Sequence, residues 1–130
     1  MDDSNARKFQ KDLNGGLVGL VLLAVLDKSV GDLYGYEIAK RLAHANDGVS
    51  IFKEGTIYPV LRALSAGDLL TSRIVPSYSG PPRRYYRITP QGRAVLSEWR
   101  AIWNETRAFV DRFANPEQDP PENDTQGTTS

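Results

Sequence analysis

The chain has no cysteine and only one histidine among its 130 residues. Without thiols it can form neither disulfides nor thiolate metal sites, which suits a reducing compartment. His44 has no clustered carboxylate pair or second ligand beside it, so it reads as a surface residue and not as a catalytic base or metal ligand. GxGxxG, P-loop and nucleophile-elbow patterns are all missing. The longest nearly uncharged apolar run, Leu17 to Leu26, falls far short of the roughly 20 residues of a membrane helix, and no small-residue cleavage pattern follows it. These absences argue against an enzyme, a metal, a cofactor and a membrane partner. A cytoplasmic protein is the expectation.

Positive charge is missing from one region in particular. Beyond Asn115 stand Glu117, Asp119, Glu122 and Asp124 with no Lys or Arg and no aliphatic or aromatic residue, so 115–130 is expected to be a disordered acidic tail. The formal charge of zero therefore conceals a segregation: from Lys53 to Arg100 there are eight basic residues against three acidic ones, an excess of five. Such an excess points to an anionic partner, while a solvated face is the plainer reading.

A chain of this length has room for one domain with one core. "LVGLVLLAVLDKS", Leu17 to Ser29, is apolar on nearly every side, as a helix surrounded by neighbours would be. The first helix is expected from Asp12 to Asp27, behind a flexible 1–11. "LYGYEIAKRLAHA" then places Tyr34, Ile38, Leu42 and Ala45 at helical spacing, and Asn46 to Gly48 ends that second helix.

In "EGTIYPVLRALSAGDLL", Ile57, Val60, Leu61 and Leu64 form one apolar stripe, with Gly67 placed to end the helix. The opposite side carries Gly55, Thr56, Pro59, Arg62, Ala63 and Ala66, with Tyr58 on the flank. Lys and Glu would normally occupy such a face. Small side chains let the helix backbone come close to something, either a DNA groove or another protein. Pro59 lacks an amide hydrogen, so the first turn is expected to be distorted.

From Leu70 the period changes to two, and "LLTSRIV" pairs across "PSYSGPP" with "RRYYRIT" as a hairpin over 70–89. Tyr86 and Ile88 face the core, whereas Arg83, Tyr85 and Arg87 face outward; Arg84 shares the inner parity but sits at the loop end, where it can swing clear. Thr89 caps the next helix and Pro90 takes its first position. That helix, 90–114, carries an oversized apolar face. Val95, Trp99, Ile102, Thr106, Phe109 and Phe113 form one line, and Leu96, Trp103 and Val110 a second. A small domain cannot easily bury both, so a homodimer built on this helix is the better account, and a helix folded back on its own core the other. Trp99 and Trp103 are either packing residues or the walls of a slot for a planar apolar effector.

Three helices, a hairpin and a long helix give a mainly α fold with a small β-hairpin: a winged helix-turn-helix domain, 12–89, followed by a dimerisation helix. The hairpin would be the wing, with Arg83 and Arg84 flanking phosphates, and Arg62 would reach a guanine edge from the third helix. "LYGYEIAKRL", "EGTIYPVLRALSAGDLL" and "GPPRRYYRITPQGR" together resemble the motifs of PadR-like transcriptional regulators, over about Leu17 to Phe113. The resemblance implies a homodimeric repressor on a palindromic DNA site, whose single C-terminal helix packs on the partner subunit's N-terminal helix. It also implies that some members are released by small aromatic compounds.

Carried onto this chain, the resemblance has Gly55, Thr56, Ile57, Tyr58 and Pro59 opening the recognition helix, Arg83, Arg84, Tyr85 and Tyr86 in the wing, and Tyr34, Gly35 and Tyr36 at the start of the bracing helix. Tyr36 and Lys53 complete the expected DNA contacts. Leu17, Leu20, Trp99, Ile102, Trp103, Thr106, Phe109, Val110 and Phe113 are the expected dimer contacts. Gly15 and Gly16 depart from the family, which usually continues its first helix there. The alternative function is a winged helix that binds proteins and reads no DNA sequence.

Overall fold

The computed structural model describes residues 3–44 and 52–115. Its elements in chain order are α1 (Asp3–Lys28), β1 (Leu33–Tyr34), α2 (Gly35–His44), α3 (Glu54–Ala66), β2 (Leu70–Val75), β3 (Arg83–Ile88) and α4 (Pro90–Ala114). This is the mainly helical winged-helix order expected. Ala45, the turn at Asn46 to Gly48, and 116–130 of the acidic tail lie outside the described residues.

Two boundaries differ from expectation for local reasons. The first helix starts at Asp3, not Asp12, and so takes in most of the segment expected to be flexible. Side-chain pairs one turn apart support this stretch: Lys8 Nζ donates to Asp12 Oδ2 at 2.9 Å and Gln10 Nε2 to Asn14 Oδ1 at 2.7 Å. The helix runs on through Gly15 and Gly16. The second difference is Tyr34, which belongs to a strand and not to the second helix. Leu33 pairs with Tyr86 and Tyr34 with Tyr85, so the hairpin gains a third strand in the order β1-β3-β2.

The core lies where α1 packs on α3 and β3. Leu22 and Leu23 of α1, Ile38 of α2, and Ile57 and Leu61 of α3 are fully buried, with Leu70, Tyr86, Ile88 and Leu96 closing around them. By length and composition α1 could cross a membrane. Of its apolar residues, Val18, Leu22, Leu23 and Leu26 are buried within the protein.

The chain ends α3 by a device the sequence shows only in part. Leu69 N donates to Leu64 O at 2.9 Å and Asp68 N to Ser65 O at 3.0 Å, the paired bonds of a Schellman motif. Gly67 ends the helix as expected, but the left-handed residue is Asp68, with φ 65°. From there the chain turns into β2. Thr89 then ties the far end of the hairpin to this turn: its amide donates to Leu69 O at 3.1 Å and its hydroxyl to Asp68 O at 2.7 Å. The same hydroxyl accepts from Gly92 N at 2.8 Å, capping α4.

The chain divides into two compact units, Met1–Ser97 and Glu98–Ser130. In the second, Trp99 and Trp103 are half-buried, whereas Ile102, Thr106, Phe109, Val110 and Phe113 are exposed, the two phenylalanine rings 5.1 Å apart.

Candidate nucleic-acid interface

Burial of Ile57, Leu61 and Leu64 fixes the rotation of α3 and turns Gly55, Thr56, Pro59, Arg62, Ala63 and Ala66 outward, all of them exposed. Val60, expected on the buried stripe, is half-buried at its margin. The exposed Lys53 precedes the helix in extended conformation, and its carbonyl accepts from both Thr56 N at 2.9 Å and Ile57 N at 3.2 Å. That shared bond tightens the first turn, and the helix passes Pro59 without a break. The face has almost no side-chain bulk except the Arg62 guanidinium, which forms no ion pair among the described residues.

Tyr58 and Tyr86 meet over the bare Cα of Gly35. A β-carbon there would stand 3.4 Å from Tyr58 Cε1 and 3.5 Å from Tyr86 Cε2. Burial raises the Tyr58 phenol above its ordinary 10.0, and the nearby Glu54 carboxylate adds to the effect. Burial also raises Tyr86, while the positive charges of Arg84 and Arg62 pull it back. Both phenols therefore remain neutral donors at physiological pH. The same pattern places Arg62 of α3 and Arg84 of β3 within electrostatic reach of one hydroxyl. Arg84 Nη1 also donates to Ser72 Oγ at 3.1 Å across the hairpin.

Strand alternation falls as expected from the sequence. Arg84, Tyr86 and Ile88 share the inner face of β3, and Arg83, Tyr85 and Arg87 the outer one. On that outer face the Arg83 guanidinium lies 5.0 Å from the centre of the Tyr34 ring. Tyr34 in turn lies 5.7 Å from Tyr85 and 6.0 Å from Tyr36, and Lys40 Nζ stands 5.5 Å over Tyr36. Among the expected contacts, then, α3, Lys53 and Arg84 belong together, and Arg83, Tyr85 and Tyr36 form a second, aromatic cluster through Tyr34.

The local excess of positive charge is partly answered within the fold. Asp32 Oδ2 accepts from Arg73 Nε and Asp32 Oδ1 from Arg87 Nε, each at 2.6 Å, and Asp27 accepts from Arg93 at 3.2 Å. Hydrogen bonding to Arg73, opposed by partial burial and reinforced by Arg87, holds the Asp32 carboxyl below its ordinary 3.8. Lys53, Arg62, Arg83 and Arg84 form no ion pair among the described residues. Nothing local in the sequence marks Asp32 for this role, because its partners lie 41 and 55 residues away.

The chain is similar to known proteins. A curated but uncharacterised protein of Lysinibacillus sphaericus is 33% identical over 101 residues, 78% of this chain and 90% of that one. A transcriptional regulator of Mycobacterium tuberculosis is 49% identical over 53 residues, 39% of this chain and 47% of its own. Among solved structures, a PadR family transcriptional regulator from Eggerthella lenta superposes with a TM-score of 0.71 at 30% identity, covering 87% of this chain and 95% of that one. A transcriptional regulator from Clostridium thermocellum gives 0.70 at 30% identity, with coverages of 78% and 97%. Residues 22–98, which span the last two turns of α1, both tyrosine clusters, α3 and the wing, match the transcriptional regulator PadR-like family, and the chain belongs to that family of DNA-binding regulators, which are not enzymes in general.

Proposed function

We propose that this chain is a sequence-specific, homodimeric repressor that inserts α3 into the DNA major groove. The small, exposed face at Gly55, Thr56, Pro59, Ala63 and Ala66 carries this reading. A groove about 12 Å wide admits a helix, and one with so little outer bulk can approach base edges closely. Arg62 is the long side chain set to read a guanine, with Tyr58 beside it. Lys53 and Arg84 meet phosphates on the same side. Arg83, Tyr85 and Tyr36 follow the backbone from the wing and the start of α2.

Dimerisation through α4, 90–114, accounts for the exposed Ile102, Phe109, Val110 and Phe113, with Thr106 between them, and Leu17 and Leu20 of α1, both half-buried, supply the opposing surface. Trp99 and Trp103, one turn apart and both half-buried, suit a planar aromatic effector that releases the DNA. Saturable quenching of indole fluorescence by such compounds, lost in Trp103→Ala, checks that role.

Ala63→Glu tests groove insertion directly. The substitution places a carboxylate on the exposed side of α3 without touching Ile57, Leu61 or Leu64, so the fold should persist by circular dichroism while operator binding, selected from random duplexes, disappears. A folded Ala63→Glu protein that binds its operator normally would refute this use of α3 and favour a protein-binding winged helix.

A further inference from the structure

On the outer face of the sheet, Asp32 sits between two arginines from different strands, Arg73 of β2 and Arg87 of β3, each bonded through Nε at 2.6 Å. One arginine would neutralise the carboxylate. Two leave the cluster with a net positive charge, and the hydrogen-bond inventory is equally unbalanced. The guanidiniums bring roughly ten N–H donors to a carboxylate with about four acceptor positions. The arginine side chains are 63% and 62% exposed while Asp32 is only 12% exposed, so the acid lies beneath and the surplus donors face water.

The arginines are also held in place. Arg73 stacks 5.3 Å from the centre of the Tyr85 ring while its Nε is fixed by Asp32. The Thr71 Cα partner in the ladder is Arg87, and that of Arg73 is Tyr85, so the strand register sets their spacing. Around them lies an open depression of about 340 Å³, lined by Asp32, Thr71, Ser72, Arg73, Tyr85 and Arg87. A planar fork fixed before its ligand arrives loses little side-chain entropy on binding, and guanidinium geometry matches two oxygens of a tetrahedral oxyanion.

We propose that Arg73 and Arg87, braced by Asp32, form a phosphate-binding fork on the outer face of the sheet. It is distinct from the small face of α3 and lies on the opposite side of β3 from Arg84. The phosphate has two sources, a backbone phosphodiester of DNA running past the wing or a soluble phosphate, and only the first rests on the DNA-binding reading above.

The test follows the side-chain Nε–H resonances of arginine in the full-length protein as inorganic phosphate replaces chloride at constant ionic strength. Alongside it, the salt dependence of binding to a random duplex is measured for the wild type and for the Arg73→Gln, Arg87→Gln double variant. With a soluble phosphate, the Arg73 and Arg87 resonances shift saturably and the double variant loses at least tenfold in affinity. With a backbone phosphate, free phosphate does not saturate, and the double variant lowers the salt slope by about one to two per subunit. Arg73→Lys supplies the same comparison with charge retained if the double variant is unstable: it keeps the cation but loses the fork, so binding should still fall. Should the wild type bind no duplex at all, the function proposed above fails and the phosphate titration alone decides this site. Unshifted arginine resonances together with an unchanged salt slope in a folded variant would overturn the proposal.

Discussion

Gly92, in the first turn of α4, sets the sharpest quantitative test of the fold. A β-carbon built there would run into the Leu69 carbonyl oxygen and stand 2.8 Å from Ile88 Cγ1. The carbonyl cannot simply move away, because it accepts from the Thr89 amide and hydroxyl, both at 3.1 Å. Alanine normally improves a helix by about 0.8 to 1 kcal/mol over glycine. Overpacking costs about 1 to 3 kcal/mol, and weakening the amide hydrogen bond about 1 kcal/mol more, the single hydroxyl proton being held mainly by Asp68 O at 2.7 Å. The balance for Gly92→Ala is a loss of roughly 1 to 3 kcal/mol, or a melting temperature lower by about 5 to 15 °C. Gly15 and Gly16 in α1 have nothing within 4 Å of a built β-carbon, so Gly15→Ala should gain about 0.5 to 1 kcal/mol. Thermal and urea unfolding followed by circular dichroism would measure both. A Gly92→Ala protein as stable as the wild type would refute the close packing of α4 on the α3–β2 turn.

Three further outcomes are expected. Arg62→Ala should cost about 1 to 3 kcal/mol on the preferred site and relax sequence preference at one position per half-site, whereas Arg84→Ala should weaken all duplexes alike and lower the salt slope by about one per subunit, as a binding series over salt would show. Because the folded Asp32 carboxyl lies below its ordinary 3.8, its ion pairs stabilise the protein fully above that pH and lose their effect as pH falls through the folded value. Asp32→Asn should therefore destabilise the protein at pH 7, with the difference closing as pH falls below 3.8 in an acid-unfolding series. Deleting residues 102–130 should leave a monomeric or poorly soluble chain that binds DNA weakly, and deleting 115–130 should not, a contrast visible by light scattering.

Where the sequence was legible, a burial period stood behind the reading. Ile57, Leu61 and Leu64 recur at helical spacing and fixed which side of α3 is exposed, and Tyr86 and Ile88 alternate strictly and fixed the faces of β3. Thr89 and Pro90 announced the start of α4 by cap chemistry alone. Long-range pairing was the illegible part. Tyr34 counted equally well toward a helical stripe, and only its partner Tyr85, far along the chain, makes it a strand residue. The early start of α1 was missed because no apolar stripe marks 3–11, where support comes from polar pairs on the helix surface.

The loop between β2 and β3, residues 76–82, is exposed almost throughout, with Tyr78 fully open to solvent. Which way each β3 side chain points is set not by this loop but by Tyr86 and Ile88 in the core and by Leu70 opposite Ile88. A one-residue slip would exchange Arg83 with Arg84 and bury Tyr85 in place of Tyr86, so the strand tolerates no insertion. The loop has no such constraint. Natural variation can lengthen, shorten or recharge the wing tip while leaving the inner and outer arginines on their own sides, so reach along DNA can diversify independently of the domain that carries it.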